Sequence, residues 1–137
     1  MPIDLEGENR MIEFDGLKIS WEIQRSAKSS FRLPKPASSC GWFDAGKLKS
    51  PVLLRHWRPG DRFQPIGMAH AVKLQDLFAN LKIPRAQRHQ LVVAEAGGEN
   101  LFWVEGLRIS DRFKLDEETT RRLKWRWFRK PAEGDLF

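Results

Sequence analysis

Two apolar runs separated by a glycine turn constrain this chain more than any other feature. Residues 91–96 (LVVAEA) and 101–105 (LFWVE) flank Gly97-Gly98-Glu99-Asn100. Strand-forming runs bounded by such turn residues specify a β-hairpin. A second strand is written in residues 17–24 (LKISWEIQ), where Leu17, Ile19, Trp21 and Ile23 alternate with Lys18, Ser20, Glu22 and Gln24. Period two means a half-buried strand. Met11–Phe14 is its hairpin partner across Asp15-Gly16. Residues 121–128 (RRLKWRWF) alternate again, with Leu123, Trp125 and Trp127 on one side and Arg122, Lys124 and Arg126 on the other. Its cationic side would face either RNA or, on an edge strand shielded by its cations, solvent.

Shorter strands are expected at 42–44 and 52–55, with further β structure at 107–109 and 112–115 around a bend at Gly106. Asp116 is expected to open a short helical turn. Residues 1–10 read as a ragged lead-in, 26–40 (SAKSSFRLPKPASSC) as a long flexible loop, and the tail KPAEGDLF as frayed. Residues 56–68, with two Pro and two Gly, read as irregular. Between the strands, Leu74, Leu77, Phe78 and Leu81 stand at i, i+3, i+4 and i+7, which predicts an amphipathic helix over 72–81. Pro84 is placed to begin a second helix over 84–90, with Arg85 and Arg88 on one face.

The expected fold is therefore α+β and β-rich: six to eight short, mostly antiparallel strands in a sheet or small sandwich, covered on one side by two short helices. Three segments are expected: a lead-in at 1–41, a main domain at 42–128 and a tail at 129–137. The 137 residues, 41% hydrophobic with nine Phe and six Trp, suffice for one core. A single cysteine, Cys40, allows no intrachain disulfide, and the acidic N-terminus lacks an apolar signal core, so a cytoplasmic protein is expected.

Charge is unevenly placed. Of the net +6, residues 51–91 hold +5: Arg55, Arg58, Arg62, Lys73, Lys82, Arg85 and Arg88 against Asp61 and Asp76. Such a stretch suits a polyanion such as RNA, the alternative being a solvated basic face. Catalytic signals are missing. There is no GxGxxG, no Walker-type loop and no Ser-Gly-Gly-x-Asp-Ser loop. His56, His70, His89 and Cys40 lack metal-ligand spacing. Asp61 and Asp76 read as salt-bridge partners rather than as an acid/base pair.

Three motifs stand in order: RPGDRFQPIGM from Arg58, KLQDLFANLKIPRAQR from Lys73, and WVEGLRISDRF from Trp103. Pro59-Gly60 makes a tight turn that projects Arg58 and Arg62, whose guanidinium groups can fork onto phosphates. The purely structural alternative is that Asp61 pairs with one Arg and locks the turn. Lys73, Lys82, Arg85 and Arg88 could line one cationic ridge, with a helix N-terminus at Pro84 adding donors toward a phosphate. Trp103 and Val104 read as core rather than as a stacking platform.

Together with Phe43–Trp57 upstream, these motifs resemble the C-terminal domain of bacterial tRNA(Ile)-lysidine synthetases, over residues 42–127. The resemblance implies a fold shared with a module of the phenylalanyl-tRNA synthetase β-subunit. It implies part of an ATP-dependent ligase that joins lysine to the wobble cytidine of tRNA(Ile) with a CAU anticodon. ATP, magnesium and lysine would belong to a separate N-terminal catalytic domain, so no cofactor is expected in this chain, which alone is expected to be inactive. Its partners would be that tRNA and that domain, with homodimerisation open. tRNA contact carries over to Arg58, Arg62, Lys73, Lys82, Arg85 and Arg88, with Arg108 and Arg112 as second choices. The competing expectations are a free-standing RNA-binding protein and a protein-interaction module facing an acidic partner.

Overall fold

The computed structural model describes residues 1–8, 10–25, 39–49, 51–65, 67–98, 100–105, 107 and 113–129. Among these residues ten strands form two four-stranded antiparallel sheets and one small ribbon. The first sheet runs β1 (Pro2–Ile3), β5 (Val52–His56), β8 (Val92–Ala96), β9 (Asn100–Val104). The second runs β2 (Met11–Phe14), β3 (Leu17–Arg25), β10 (Arg121–Arg129), β4 (Cys40–Asp44). The ribbon pairs β6 (Arg62–Phe63) with β7 (Val72–Lys73). Two helices, α1 (Leu74–Asn80) and α2 (Arg85–Arg88), follow it.

The inward side chains of both sheets meet in one core. Leu17, Ile19 and Trp21 of β3 and Leu123 and Trp125 of β10 pack on Val52, Leu54, Ala94, Phe102 and Trp103 of the facing sheet. Aromatic rings bridge the layers: Phe43 lies edge-on to Phe102 at 5.3 Å, and Trp103 to Trp125 at 5.7 Å. Such offset and edge contacts suit the ring quadrupoles.

A β-bulge explains one oddity of this core. Val93 pairs with Val104 and Ala94 with Trp103, but Glu95 pairs with Leu101, so β9 has one residue more than β8 across the shift. Strict alternation would send Phe102 and Trp103 to opposite faces. With the extra residue, both rings are buried in the sandwich core.

The two-residue turn at Asp15-Gly16 is as expected, with positive φ at both positions (48° and 78°). That geometry matches the strand twist of a tight hairpin. Other expectations are corrected. The first residues are not ragged: Pro2 and Ile3 pair with Leu53 and Val52, Ile3 is buried, and the Trp21 indole donates to the Leu5 carbonyl at 3.0 Å. β10 is no edge strand, because it pairs with β3 on one side and β4 on the other. Its indoles face the core, and an indole-rich strand buries more in the middle of a sheet than at its rim. The loop at 26–38, Gly106, and the tail beyond 129 lie outside the described residues.

The outer face of the first sheet is also covered. Val93, Leu101 and Val104 pack against Phe63, Leu74 and Phe78 of the ribbon and α1. All five residues of β8 are thereby buried. Arg129 closes one end of the sandwich. Its guanidinium donates to Glu105 at 2.8 Å, to the Asp15 carbonyl at 3.0 Å and to the Gln90 carbonyl at 3.1 Å. The Glu105 carboxylate holds the Arg129 pKa above its ordinary value, against the effect of burial.

Candidate nucleic-acid interface

The site is built from the turn that leaves β5. Arg58-Pro59-Gly60-Asp61 closes with the Asp61 amide on the Arg58 carbonyl at 3.1 Å, and Gly60 takes φ 96°. A side chain at Gly60 would be strained there, which is why the type II turn needs glycine. The Asp61 carboxylate locks the turn from inside. It accepts the Arg58 amide at 2.8 Å and both terminal nitrogens of Arg55 at 2.9 and 2.8 Å. Glu95 binds the other side of Arg55, at 3.1 Å. Burial pushes the Asp61 carboxyl up, but Arg55 and the Arg58 amide outweigh it and hold its pKa below the usual value. Arg55, although counted in the basic stretch, is thus a half-buried structural cation between two carboxylates.

The Asp61 carbonyl accepts the Leu74 amide at 2.9 Å and so ties the turn to the start of α1. Between them, β6 and β7 set Arg62 directly opposite Lys73. Phe63 is buried beneath, while Arg62 and Lys73 are exposed. Residues opposite each other share a face of the ribbon, about 5 Å apart, and like charges so placed repel. Neither makes an ion pair among the described residues. Arg58 projects, exposed, from the adjoining turn.

Helix α1 is shorter than its apolar spacing predicts. Lys73 is extended and belongs to β7, and the helix ends at Asn80, leaving Leu81 55% exposed. The end is a Schellman cap: the Lys82 amide bonds the Ala79 carbonyl and the Ile83 amide the Phe78 carbonyl, both at 3.0 Å. Lys82 therefore sits at φ 58°, a position usually given to glycine. Its ammonium is exposed beside helix carbonyls, where a cation is favoured.

Helix α2 spans one turn, with Pro84 as its cap rather than its first residue. One turn carries too small a dipole to make an anion site, so the expected phosphate donors at Pro84 are withdrawn. Arg85 is exposed. Arg88 is half-buried, and its Nε donates to the Ile83 carbonyl at 2.7 Å, so part of its donor set secures the turn between the helices.

The cations thus fall into two groups. Arg58, Arg62 and Lys73 cluster at the start of α1; Lys82, Arg85 and Arg88 stand beyond its end. The seven residues of α1 span about 10 Å between them. Asp76 lies exposed in the first turn. Arg108 and Arg112 lie outside the described residues. Trp103 is core, as its sequence context implied. Sequence reasoning missed Trp57, whose ring packs edge-on to Phe78 at 5.2 Å and stacks with His89 at 6.5 Å, joining β5 to both helices. Its aromatic identity beside the RPGD turn was the available signal. His56 instead meets Asp15, at 2.8 Å. Among the described residues no His, Cys, Asp or Glu cluster could hold a metal ion, and no helix is long and apolar enough to cross a membrane.

Comparison with known proteins bears on this arrangement. The sequence pattern of the TilS substrate C-terminal domain matches residues 52–125, just over half of the chain. The chain belongs to the TilS substrate C-terminal domain family. A tRNA(Ile)-lysidine synthase of Clostridium acetobutylicum is 42% identical over 83 residues, covering 61% of this chain and 18% of that protein. One of Symbiobacterium thermophilum is 34% identical over 118 residues, covering 86% and 23%. The chain therefore spans about a fifth of the length of these curated relatives. The crystal structure of a TilS C-terminal domain superposes with a TM-score of 0.70 at 22% identity, covering 86% of this chain and 88% of that one. An N-terminal fragment of the phenylalanyl-tRNA synthetase β-subunit from Pyrococcus horikoshii gives 0.54 at 16% identity, covering 66% and 28%. At those identities the likeness is one of fold. Within the TilS C-terminal family match lie Arg58, Arg62, Lys73, Lys82, Arg85 and Arg88.

Proposed function

We propose that this TilS C-terminal domain grips the stem and body of a tRNA, so that a separate catalytic domain can attach lysine to the wobble cytidine of tRNA(Ile) with a CAU anticodon. In the whole enzyme that step would use ATP with magnesium, and lysine, in the cytoplasm; none of it is assigned to a residue here. The observation that carries the reading is the Arg62–Lys73 pair. Backbone register holds two exposed cations side by side with no carboxylate against either among the described residues. A phosphate between them relieves the repulsion. Arg58 beside that pair can present a forked guanidinium to the same backbone.

The second cluster, Lys82 with Arg85, lies far enough along α1 to meet a different phosphate. A duplex stem offers phosphates and 2′-hydroxyls rather than base edges, and rigid cations on turns and helix ends suit it. Arg88, a first choice in sequence, drops to a second-rank contact because its Nε secures the turn between the helices, beside Arg108 and Arg112.

The test is salt-titrated binding of the 137-residue chain to tRNA(Ile) with a CAU anticodon and to its acceptor-stem minihelix, with a single-stranded oligomer as control. Both structured RNAs should bind above the control with a steep salt dependence. Equal binding to all three, or none, sinks the reading.

A further inference from the structure

The sandwich face opposite the helices carries a patch that the site above does not use. On the outer side of the β2-β3-β10-β4 sheet, register places Met11, Ser20 and Arg126 in one cross-strand row and Glu13, Lys18 and Phe128 in the next. Met11 is 59% exposed and Phe128 60%, while Phe43, Phe63, Phe78 and Phe102 are buried. Between them the short Ser20 side chain leaves a depression of about 300 Å³ walled by Met11 and Phe128 and flanked by Lys18 and Arg126. That is the small end of ligand-pocket size. Lys18 and Arg126 are exposed and make no ion pair among the described residues.

We propose that this patch is a platform for one unpaired nucleotide of the RNA held at α1. The proposal rests on the RNA reading above. The chemistry is complementary in two parts: an open aromatic ring offers a face to a base, and the exposed Arg126 guanidinium beside it, with Lys18 one row away opposite Glu13, offers a seat to its phosphate. Position supports the same occupant. Phe128 precedes Arg129, whose guanidinium reaches the Gln90 carbonyl just after α2. The β2–β3 turn at Asp15 meets His56, two residues before Arg58. The patch and the cationic helix layer therefore border the same end of the sandwich, and one RNA can pass from one to the other.

The experiment compares a blunt minihelix with the same minihelix carrying a single-stranded 3′ extension, against the 137-residue chain and its Phe128→Ala, Phe128→Trp and Arg126→Gln variants. The extension should tighten binding about tenfold. Phe128→Ala and Arg126→Gln should remove that gain and leave blunt-helix affinity unchanged, and Phe128→Trp should keep it. Phe128 is mostly exposed, so these variants should fold, which circular dichroism checks. If the blunt helix binds but the extension adds nothing, or if Phe128→Ala leaves the gain intact, the platform is overturned while the α1 reading stands. If the blunt helix fails to bind and the extended one binds through Phe128, the platform stands and the α1 reading falls. An acidic peptide that binds at Phe128 while neither RNA does would make the patch a protein-docking surface and overturn the proposal.

Discussion

Lys82 separates fold from function within one residue. Its αL backbone, needed for the cap on α1, costs a side-chain-bearing residue about 1 kcal/mol. Its ammonium is a contact only in the RNA reading proposed above. Lys82→Gly should therefore leave the thermal midpoint unchanged or raise stability by up to about 1 kcal/mol, while weakening RNA binding several-fold. A lower midpoint contradicts the cap; an unchanged affinity contradicts the contact. Asp61 makes the opposite case, a charge wholly committed to structure. Its folded pKa is depressed, so the unfolded state binds the proton more readily. Its stabilisation is present above the unfolded value near 4 and fades as pH falls through the folded value. Asp61→Asn should cost about 1.5–3 kcal/mol at pH 7, with Arg55 left against Glu95 alone. The gap between variant and parent should narrow in acid below pH 4, as read from denaturant midpoints. The Asp61 pairing was foreseen, but its partner was not: Arg55 arrives by strand pairing, and local spacing does not reveal which Arg faces inward.

At the scale of elements, the β6–β7 ribbon is held by Phe63 and Val72 beneath it against the repulsion of Arg62 and Lys73 above. Arg62→Gln should thus raise stability slightly, by about 0.2–1 kcal/mol, while lowering RNA affinity and reducing the salt slope by about one. A fall in both would mean that Arg62 has a structural partner. The hairpins were legible because their turns are local: Asp15-Gly16 and Gly97-Gly98 each fix a two-strand unit. The ribbon was not, because two-residue strands carry no periodicity. Helix α1 was legible in its Leu74 and Phe78, but its expected first two residues, Val72 and Lys73, were lost to β7 by pairing with β6. The rank of β10 within its sheet was equally hidden, since alternation gives a strand two faces and says nothing of its neighbours.

In the whole molecule, the N-terminal segment belongs to the sandwich. Ile3 fills its core, Leu5 accepts the Trp21 indole, and Glu6 pairs with Arg121. Ile3→Ala should cost about 2 kcal/mol or more, lowering the thermal midpoint by several degrees. A neutral outcome would mean that β1 frays in solution. The concentration of positive charge in 51–91 was visible in sequence, yet its division into two groups was not. That depends on α1 being a rigid spacer, and on Arg55 and part of Arg88 being drawn inward.

Strand β8 is buried on both faces, by the sandwich on one side and by the ribbon and α1 on the other. It works as a party wall. The layer read here as RNA-facing cannot peel away without baring Val93, Leu101 and Val104 along a continuous apolar strip, the kind of surface that draws proteins into aggregates. The two layers should therefore open together, with the amides of β8 the last in the chain to exchange with solvent.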